Sequence, residues 1–250
     1  RTDIPPTFSL VVPVYNEQDV LETFYSRLTA EIDKLGEPSE IVFVNDGSTD
    51  GTAAILRRLA GEDRRVRVVE FSRNFGHQTA LTAGYDYAAG RAVISLDADC
   101  QHPPELIGQL VARWREGFEV VYTVRTGMPG ESGLYARLRR LGYRLLRLSS
   151  GQDLSNQADF RLLDRKALDA LKAHRESGRF LRGLVRHIGF RQSAVPYKAA
   201  RRAAGKRSYT MKQTLEMSAV GAVYFSLKPL RLAYGLGGLL LGAAAVYIVA

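Results

Sequence analysis

A chain of 250 residues is long enough for one substantial core and a small appendage. Its net charge of +9 is unevenly divided: residues 1–124 carry 12 Lys+Arg against 19 Asp+Glu, and residues 125–250 carry 23 against 7. The acidic half is thereby excluded as a polyanion binder, while the basic half calls for phosphates, anionic lipid or nucleic acid. A lone cysteine, Cys100, excludes an internal disulfide framework and fits a reducing compartment.

In chain order, the apolar run 8–14 predicts a first buried strand, with Tyr15, Asn16 and Glu17 in the loop after it. From Gln18 to about Leu35, Val20, Leu21, Phe24, Leu28 and Ile32 recur at helical spacing. Residues 40–45 read as a second strand, 46–52 as a Gly-rich turn with several helix-capping residues, and 53–60 as a helix. A third strand is predicted over 66–71, a polar loop over 72–77 and a helix over 78–89. Residues 92–96 form the central strand of this reading, running directly into Asp97 and Asp99. Pro103 and Pro104 stop the strand and open a helix over 106–116, and 119–124 is a further strand. Strands alternating with helices at this spacing predict an α/β fold, a mostly parallel sheet with helices on both faces.

Beyond Glu105 the chain changes character. Leucines at 134, 138, 141, 145 and 148 form an apolar stripe, with Arg137, Arg140, Arg144 and Arg147 on a second face. Such a helix suits a membrane surface, and on this segment alone it suits packing on the sheet equally well. From Leu232 to Ala250 there are 19 residues without a charge. As a helix this run spans roughly 28 Å, close to a bilayer's hydrocarbon thickness. It predicts a transmembrane helix, the first of at least two, with the natural chain continuing beyond it. Lys206, Arg207, Lys212, Lys228 and Arg231 on its N-terminal side place the main domain in the cytoplasm.

Each strand of the acidic half ends in a polar cluster, as a nucleotide site at strand carboxyl ends needs. The G-x-G-x-x-G fingerprint and the Walker A sequence are absent, which excludes a hydride-transfer or P-loop enzyme. Asp97 and Asp99 after a central strand point to a hard divalent cation, Mg²⁺ or Mn²⁺, holding a diphosphate. An isolated Asp-x-Asp is more often a capped loop, and the convergent clusters decide against that reading. His102 reads as a ligand or, more commonly for a loop histidine beside prolines, as a structural residue.

Three stretches, Val12-Pro13-Val14-Tyr15-Asn16-Glu17, Val44-Asn45-Asp46-Gly47-Ser48-Thr49-Asp50-Gly51-Thr52 and Asp97-Ala98-Asp99-Cys100-Gln101-His102-Pro103-Pro104-Glu105, resemble the motifs of family 2 glycosyltransferases. Residues 71–77, 158–165 and 202–205 follow in the order of the polyprenyl-phosphate branch, which includes dolichyl-phosphate mannose synthases and bacterial undecaprenyl-phosphate glucosyltransferases. The resemblance implies a GT-A fold over residues 1–208, a juxtamembrane amphipathic segment at 209–229 and a membrane helix at 230–250. It implies inverting transfer from a nucleotide sugar to a lipid phosphate on the cytoplasmic face of the cell (inner) membrane. Residues 74–77 look closer to the glucosyltransferase-like members, which favours UDP-glucose and leaves GDP-mannose open.

Carried over residue by residue, Pro13, Tyr15, Glu17 and Asp46 match the nucleotide-binding positions. Asp97, Asp99 and Gln101 match the metal and diphosphate positions, and Asp159 is the base candidate that the resemblance offers. A phosphate monoester is mostly dianionic at neutral pH, so positioning is the expected role of Asp159. Arg125, Arg202, Lys206, Arg207 and Ser208 are the candidates for gripping phosphate. The chain departs from the family in its order Lys206-Arg207-Ser208-Tyr209 and in Met128, where an arginine is common.

The implied partners are a nucleotide sugar, a polyprenyl phosphate and the lipid bilayer, and homo-oligomerisation stays open. A processive polysaccharide synthase would carry Gln-x-x-Arg-Trp, which is absent. A non-catalytic nucleotide-sugar-binding membrane protein would not need both Asp97 and Asp99. A nucleic-acid partner is excluded by the acidic half and by the lack of interleaved aromatics in the basic helix.

Overall fold

Strand β1, Phe8–Val14, is buried along its whole length in the computed structural model of the chain. The structure describes residues 5–99, 102–126, 157–174, 180–197 and 228–249. These fall into two compact units, 5–126 with 157–197 in the first and 228–249 in the second.

The first unit alternates strand and helix as the hydrophobic periodicities predict. β1 is followed by α1 (Leu21–Leu35), β2 (Ser39–Asn45), α2 (Thr52–Glu62), β3 (Val66–Glu70), α3 (His77–Tyr87) and β4 (Ala92–Ser95). A 3₁₀ turn at Pro104–Leu106 leads into α4 (Ile107–Arg115) and then β5 (Val120–Arg125). Most boundaries shift by one or two residues from the sequence reading, and two of the shifts have a local cause. Residues 17–20 form a turn closed by Val20 N–H and Leu21 N–H on the Glu17 carbonyl, so α1 starts at Leu21. Pro103 and Pro104 tighten the entry to the next helix, so α4 starts at Ile107.

Four elements of the described chain had no secondary-structure reading: β6 (Gln157–Asp164), α5 (Arg165–Ala173), α6 (Leu181–His187) and β7 (Gln192–Tyr197). The described strands order as β3-β2-β1-β4-β6-β5-β7, with β4 at the centre. β6 runs antiparallel between β4 and β5, and every other pairing is parallel. The carboxyl ends of β1 to β5 and β7 therefore share one edge, together with the amino end of β6.

Alternation along β1 sends its side chains to both faces of the sheet. Phe8, Leu10, Val12 and Val14 join Phe24, Leu28, Leu110 and Val111 in the main core. Val11 faces α3, where Gly84 leaves room: a Cβ at Gly84 would lie 2.2 Å from Val11 Cγ1. Beneath the sheet, Glu40 accepts from Ser9 Oγ (2.6 Å) and Ala89 N–H (2.7 Å) and pairs with Arg67, tying β1, β2 and the end of α3.

The second unit contains α7, Lys228–Val249, a 22-residue helix whose described side chains are almost all exposed and apolar after Arg231, among them Leu239, Leu240, Leu241, Val246 and Ile248. No helix among the described residues is long and apolar enough to cross a membrane. The amphipathic helix read at 132–149 and the segment 209–229 lie outside the described residues.

Candidate active site

At the shared edge, the loops after β1 and β2 are stitched to each other. Asn16 takes a left-handed conformation (φ 54°), which Asn tolerates better than most residues. That turn lets Asn16 Oδ1 accept from Thr49 N–H (2.8 Å) while Asn16 N–H donates to Ser48 Oγ (3.0 Å). Glu17 N–H donates to Thr52 Oγ1 (3.0 Å), and Gly51 N–H to Gln18 Oε1 (2.7 Å). Pro13 is buried in β1, whereas the Tyr15 side chain stands 43% exposed at the mouth.

Asp46 is buried, and its carboxylate accepts from Phe75 N–H (2.7 Å) and Gly76 N–H (3.0 Å). It is therefore a brace between the loops after β2 and β3. Gly47 (φ 67°) closes the same junction, because a Cβ there would meet the Arg73 carbonyl carbon at 2.3 Å. Held in this way, the loop delivers His77 to the start of α3.

His77 Nε2 lies 2.7 Å from Asp97 Oδ1, and His102 Nδ1 lies 3.3 Å from Asp97 Oδ2. Burial opposes charge on His77, but the Asp97 carboxylate outweighs it and raises the imidazole to about 9. Burial likewise raises Asp97, and His77 and His102 together hold it well below the usual carboxylate range. On its other side His102 Nε2 faces Arg125 Nη2 at 3.0 Å. A guanidinium only donates, so Nε2 accepts and the ring proton sits on Nδ1, towards Asp97. Tyr197 Oη accepts from Arg125 Nε (2.9 Å) and completes the row.

Asp97, Asp99 and His102 place one ligand atom each within 4.8 Å of one another. Two hard carboxylate oxygens fit Mg²⁺ or Mn²⁺. The tautomer set by Arg125 makes His102 the residue that orients Asp97, so Asp97 and Asp99 would supply the protein's ligands. Gln101, Arg202, Lys206, Arg207 and Ser208 lie outside the described residues.

Asp159, on β6, is buried between two arginines. Arg182 Nε lies 3.1 Å from both carboxylate oxygens and Nη2 lies 2.7 Å from Oδ2, while Arg161 Nη2 bonds Oδ1. Burial raises this carboxyl, but Arg182 and Arg161 outweigh it and hold it far below its ordinary value. A carboxylate so stabilised is a poor proton acceptor. Asp159 is joined to the central strand through its carbonyl, which accepts from Ser95 Oγ (2.7 Å).

The fold thus gathers Asp97, Asp99, Arg125 and Asp159 around one edge and sets Asp46 behind it as a brace. Sequence reasoning missed His77, Arg161, Arg182 and Tyr197 as parts of this site. His77 and Arg161 lay inside quoted motifs without a role. Arg182 carried no signal, since only the return of α6 to the sheet brings it to Asp159.

Residues 9–172 match the family model described as glycosyl transferase family 2. The chain is a family 2 glycosyltransferase. This glycosyltransferase is 46% identical, over 96% of its length and 75% of the relative's, to an uncharacterized glycosyltransferase YkcC of Bacillus subtilis. It is 33% identical to a prophage bactoprenol glucosyl transferase homolog of Escherichia coli, covering 96% of this chain and 78% of the relative. It is 35% identical to the bactoprenol glucosyl transferase of Shigella phage SfV, covering 89% and 73%. Among solved structures it resembles glucosyl-3-phosphoglycerate synthase from Mycobacterium tuberculosis in complex with Mn²⁺, UDP and phosphoglyceric acid. That likeness has a TM-score of 0.61 at 21% identity, over 86% of this chain and 75% of the other, and shows the GT-A-like fold.

Proposed function

We propose that this glycosyltransferase moves a hexose, glucose from UDP-glucose in the favoured reading, onto a polyprenyl phosphate at the cytoplasmic face of a membrane. The observation that carries the reading is the Asp97–Asp99 pair at the carboxyl end of the central strand, with His77 and His102 against Asp97, in a chain 33–35% identical to proteins named bactoprenol glucosyl transferase. In the reaction the bond from sugar C1 to the donor diphosphate breaks and a bond from C1 to an acceptor phosphate oxygen forms, with inversion. The nucleoside diphosphate leaves.

Asp97 and Asp99 would hold a divalent cation, which when bound neutralises the departing diphosphate. His77 and His102 fix the orientation of Asp97. Tyr197 and His102 point the Arg125 guanidinium, a donor fork suited to phosphate oxygens. Tyr15, exposed after β1, would meet the nucleotide. No side chain has to remove a proton, because the acceptor's second pKa is near 6 and it arrives dianionic.

Membrane attachment is assigned to α7. The stretch of this helix after Arg231 carries no charge, and its described side chains are almost all exposed and apolar.

The test is transfer of radiolabelled sugar from UDP-glucose and, in parallel, GDP-mannose to undecaprenyl phosphate in detergent with Mg²⁺ or Mn²⁺. Lipid-extractable label from UDP-glucose is expected, abolished by chelation, restored by either cation and absent in Asp99→Ala. Label from GDP-mannose alone would replace the donor. No label from either donor would sink the reading.

A further inference from the structure

Among the described residues of the first unit, the large hydrophobic side chains that stand exposed are Tyr15, Phe75 and Tyr87. Tyr87 ends α3, away from the site, whereas Tyr15 and Phe75 follow β1 and β3 on the edge that carries Asp97. Tyr15 has a part in the reading above and Phe75 has none.

Phe75 is 45% exposed and yet held in place. The Arg73 guanidinium lies over its ring, 4.1 Å from the centroid. Arg73 is tethered in turn, with Nη1 donating to the Asn74 carbonyl (3.2 Å). The Phe71 ring meets Phe75 at 85°, the centroids 5.5 Å apart. Phe75 N–H donates to Asp46 Oδ1 (2.7 Å), and Gly76 N–H donates to the other oxygen (3.0 Å). A singly exposed apolar side chain is ordinary on a protein surface. This one is fixed by an arginine, a second ring and its own backbone, two residues before His77.

The order of the strands says which ligand the ring meets. Across the edge they run β3-β2-β1-β4-β6-β5. Asp97 and Asp99 follow β4, and Arg125, the fork suited to an acceptor phosphate, ends β5. A diphosphate on the carboxylate pair, with the acceptor on the β5 side, sends the rest of the donor towards β1, β2 and β3. Phe75 belongs to the end of β2, where its N–H reaches Asp46. Two strand spacings separate β2 from β4, about 10 Å, which a ribose and its base would cover. Asp46 itself is 3% exposed with both oxygens engaged, so what this end offers a base is the ring.

We propose that Phe75, with Arg73 against its ring, is the platform on which the donor's nucleobase stacks. Every base has a π face, and a ring stiffened by a planar guanidinium is a ready surface for it. The inference deepens the functional reading above and rests on it for the donor being a nucleoside diphosphate sugar.

The experiment uses the whole chain in detergent with Mg²⁺: wild type, Phe75→Ala and Phe75→Trp. Binding of UDP, GDP, pyrophosphate and farnesyl phosphate, a short prenyl monophosphate, is measured for each. Phe75→Ala is expected to weaken the nucleotide that binds the wild type roughly fivefold to a hundredfold, and to leave pyrophosphate within about twofold. Phe75→Trp is expected to keep nucleotide affinity within about threefold. It should also gain a fluorescence that the nucleotide quenches and pyrophosphate does not.

Nucleotide affinity unchanged in Phe75→Ala would overturn the proposal. Equal losses of nucleotide and pyrophosphate would overturn it too, by making Phe75 a support of the loop that carries His77. Loss of farnesyl phosphate alone would give the ring to the prenyl lipid instead. Should Phe75→Ala fail to fold, quenching in Phe75→Trp decides by itself. Phe75-dependent nucleotide binding without any sugar transfer would sink the functional reading and keep the platform, whereas transfer with binding indifferent to Phe75 would do the reverse.

Discussion

At the scale of single residues, Asp97 stays ionised because imidazoles lie on both of its oxygens, and the same contact keeps His77 protonated. His77 titrates at about 9 in the fold against an ordinary 6.5. Its contribution to stability is therefore complete below about pH 6.5 and lost as pH rises through 9. In metal-free protein the His77 ring signals are expected to stay those of an imidazolium at pH 8, and His77→Gln to flatten the fall in unfolding free energy between pH 7 and 10. Gly47 makes the second residue-scale prediction. With φ 67° and the Arg73 backbone 2.3 Å from its missing Cβ, Gly47→Ala is expected to lose at least about 1–3 kcal/mol in urea unfolding. It should also weaken UDP binding, because the loop that carries His77 is displaced. The sequence displayed Gly47 as one more turn glycine, and only the neighbouring loop makes it irreplaceable.

At the scale of elements, α3 carries His77 of the site and must lie flat on β1. Gly84 is the contact point, its Cα side facing Val11. Helix propensity alone favours alanine there by about 1 kcal/mol. The tight contact reverses the sign: Gly84→Ala is expected to lower stability by about 1–3 kcal/mol, and Val11→Ala to recover part of the loss in a double-mutant cycle. A stabilised Gly84→Ala protein would show that α3 is free to lift. The periodicities of α1, α2, α3 and α4 were legible within a few residues because each lays one apolar stripe on a single core. β6 was not, since its motif reads as polar and catalytic while its backbone fills an antiparallel slot between β4 and β5.

At the scale of the whole molecule, the acidic half builds the sheet edge that carries Asp97 and Asp99, and the basic half supplies Arg161, Arg182 and the apolar helix α7. If α7 is the anchor, a charge at its middle opposes insertion by about 2.5–3.5 kcal/mol. Leu240→Arg, at a side chain 70% exposed, is expected to leave the thermal unfolding of the first unit unchanged and to move the protein from the membrane to the soluble fraction. Retention of Leu240→Arg in the membrane fraction would assign attachment to another segment.

By itself the sequence determined the alternation of strands and helices, the edge at which the polar loops meet, the carboxylate pair and the family. Those are local properties: hydrophobic period, turn chemistry and a few residues at fixed spacing. Only the tertiary structure decided what each group faces. It made Asp46 a brace by closing the Phe75–Gly76 loop on it, assigned the His102 proton through Arg125, and set Asp159 between Arg161 and Arg182. Protonation and charge depend on neighbours far away in the chain, and Arg182 stands 23 positions from Asp159 with nothing local to announce it.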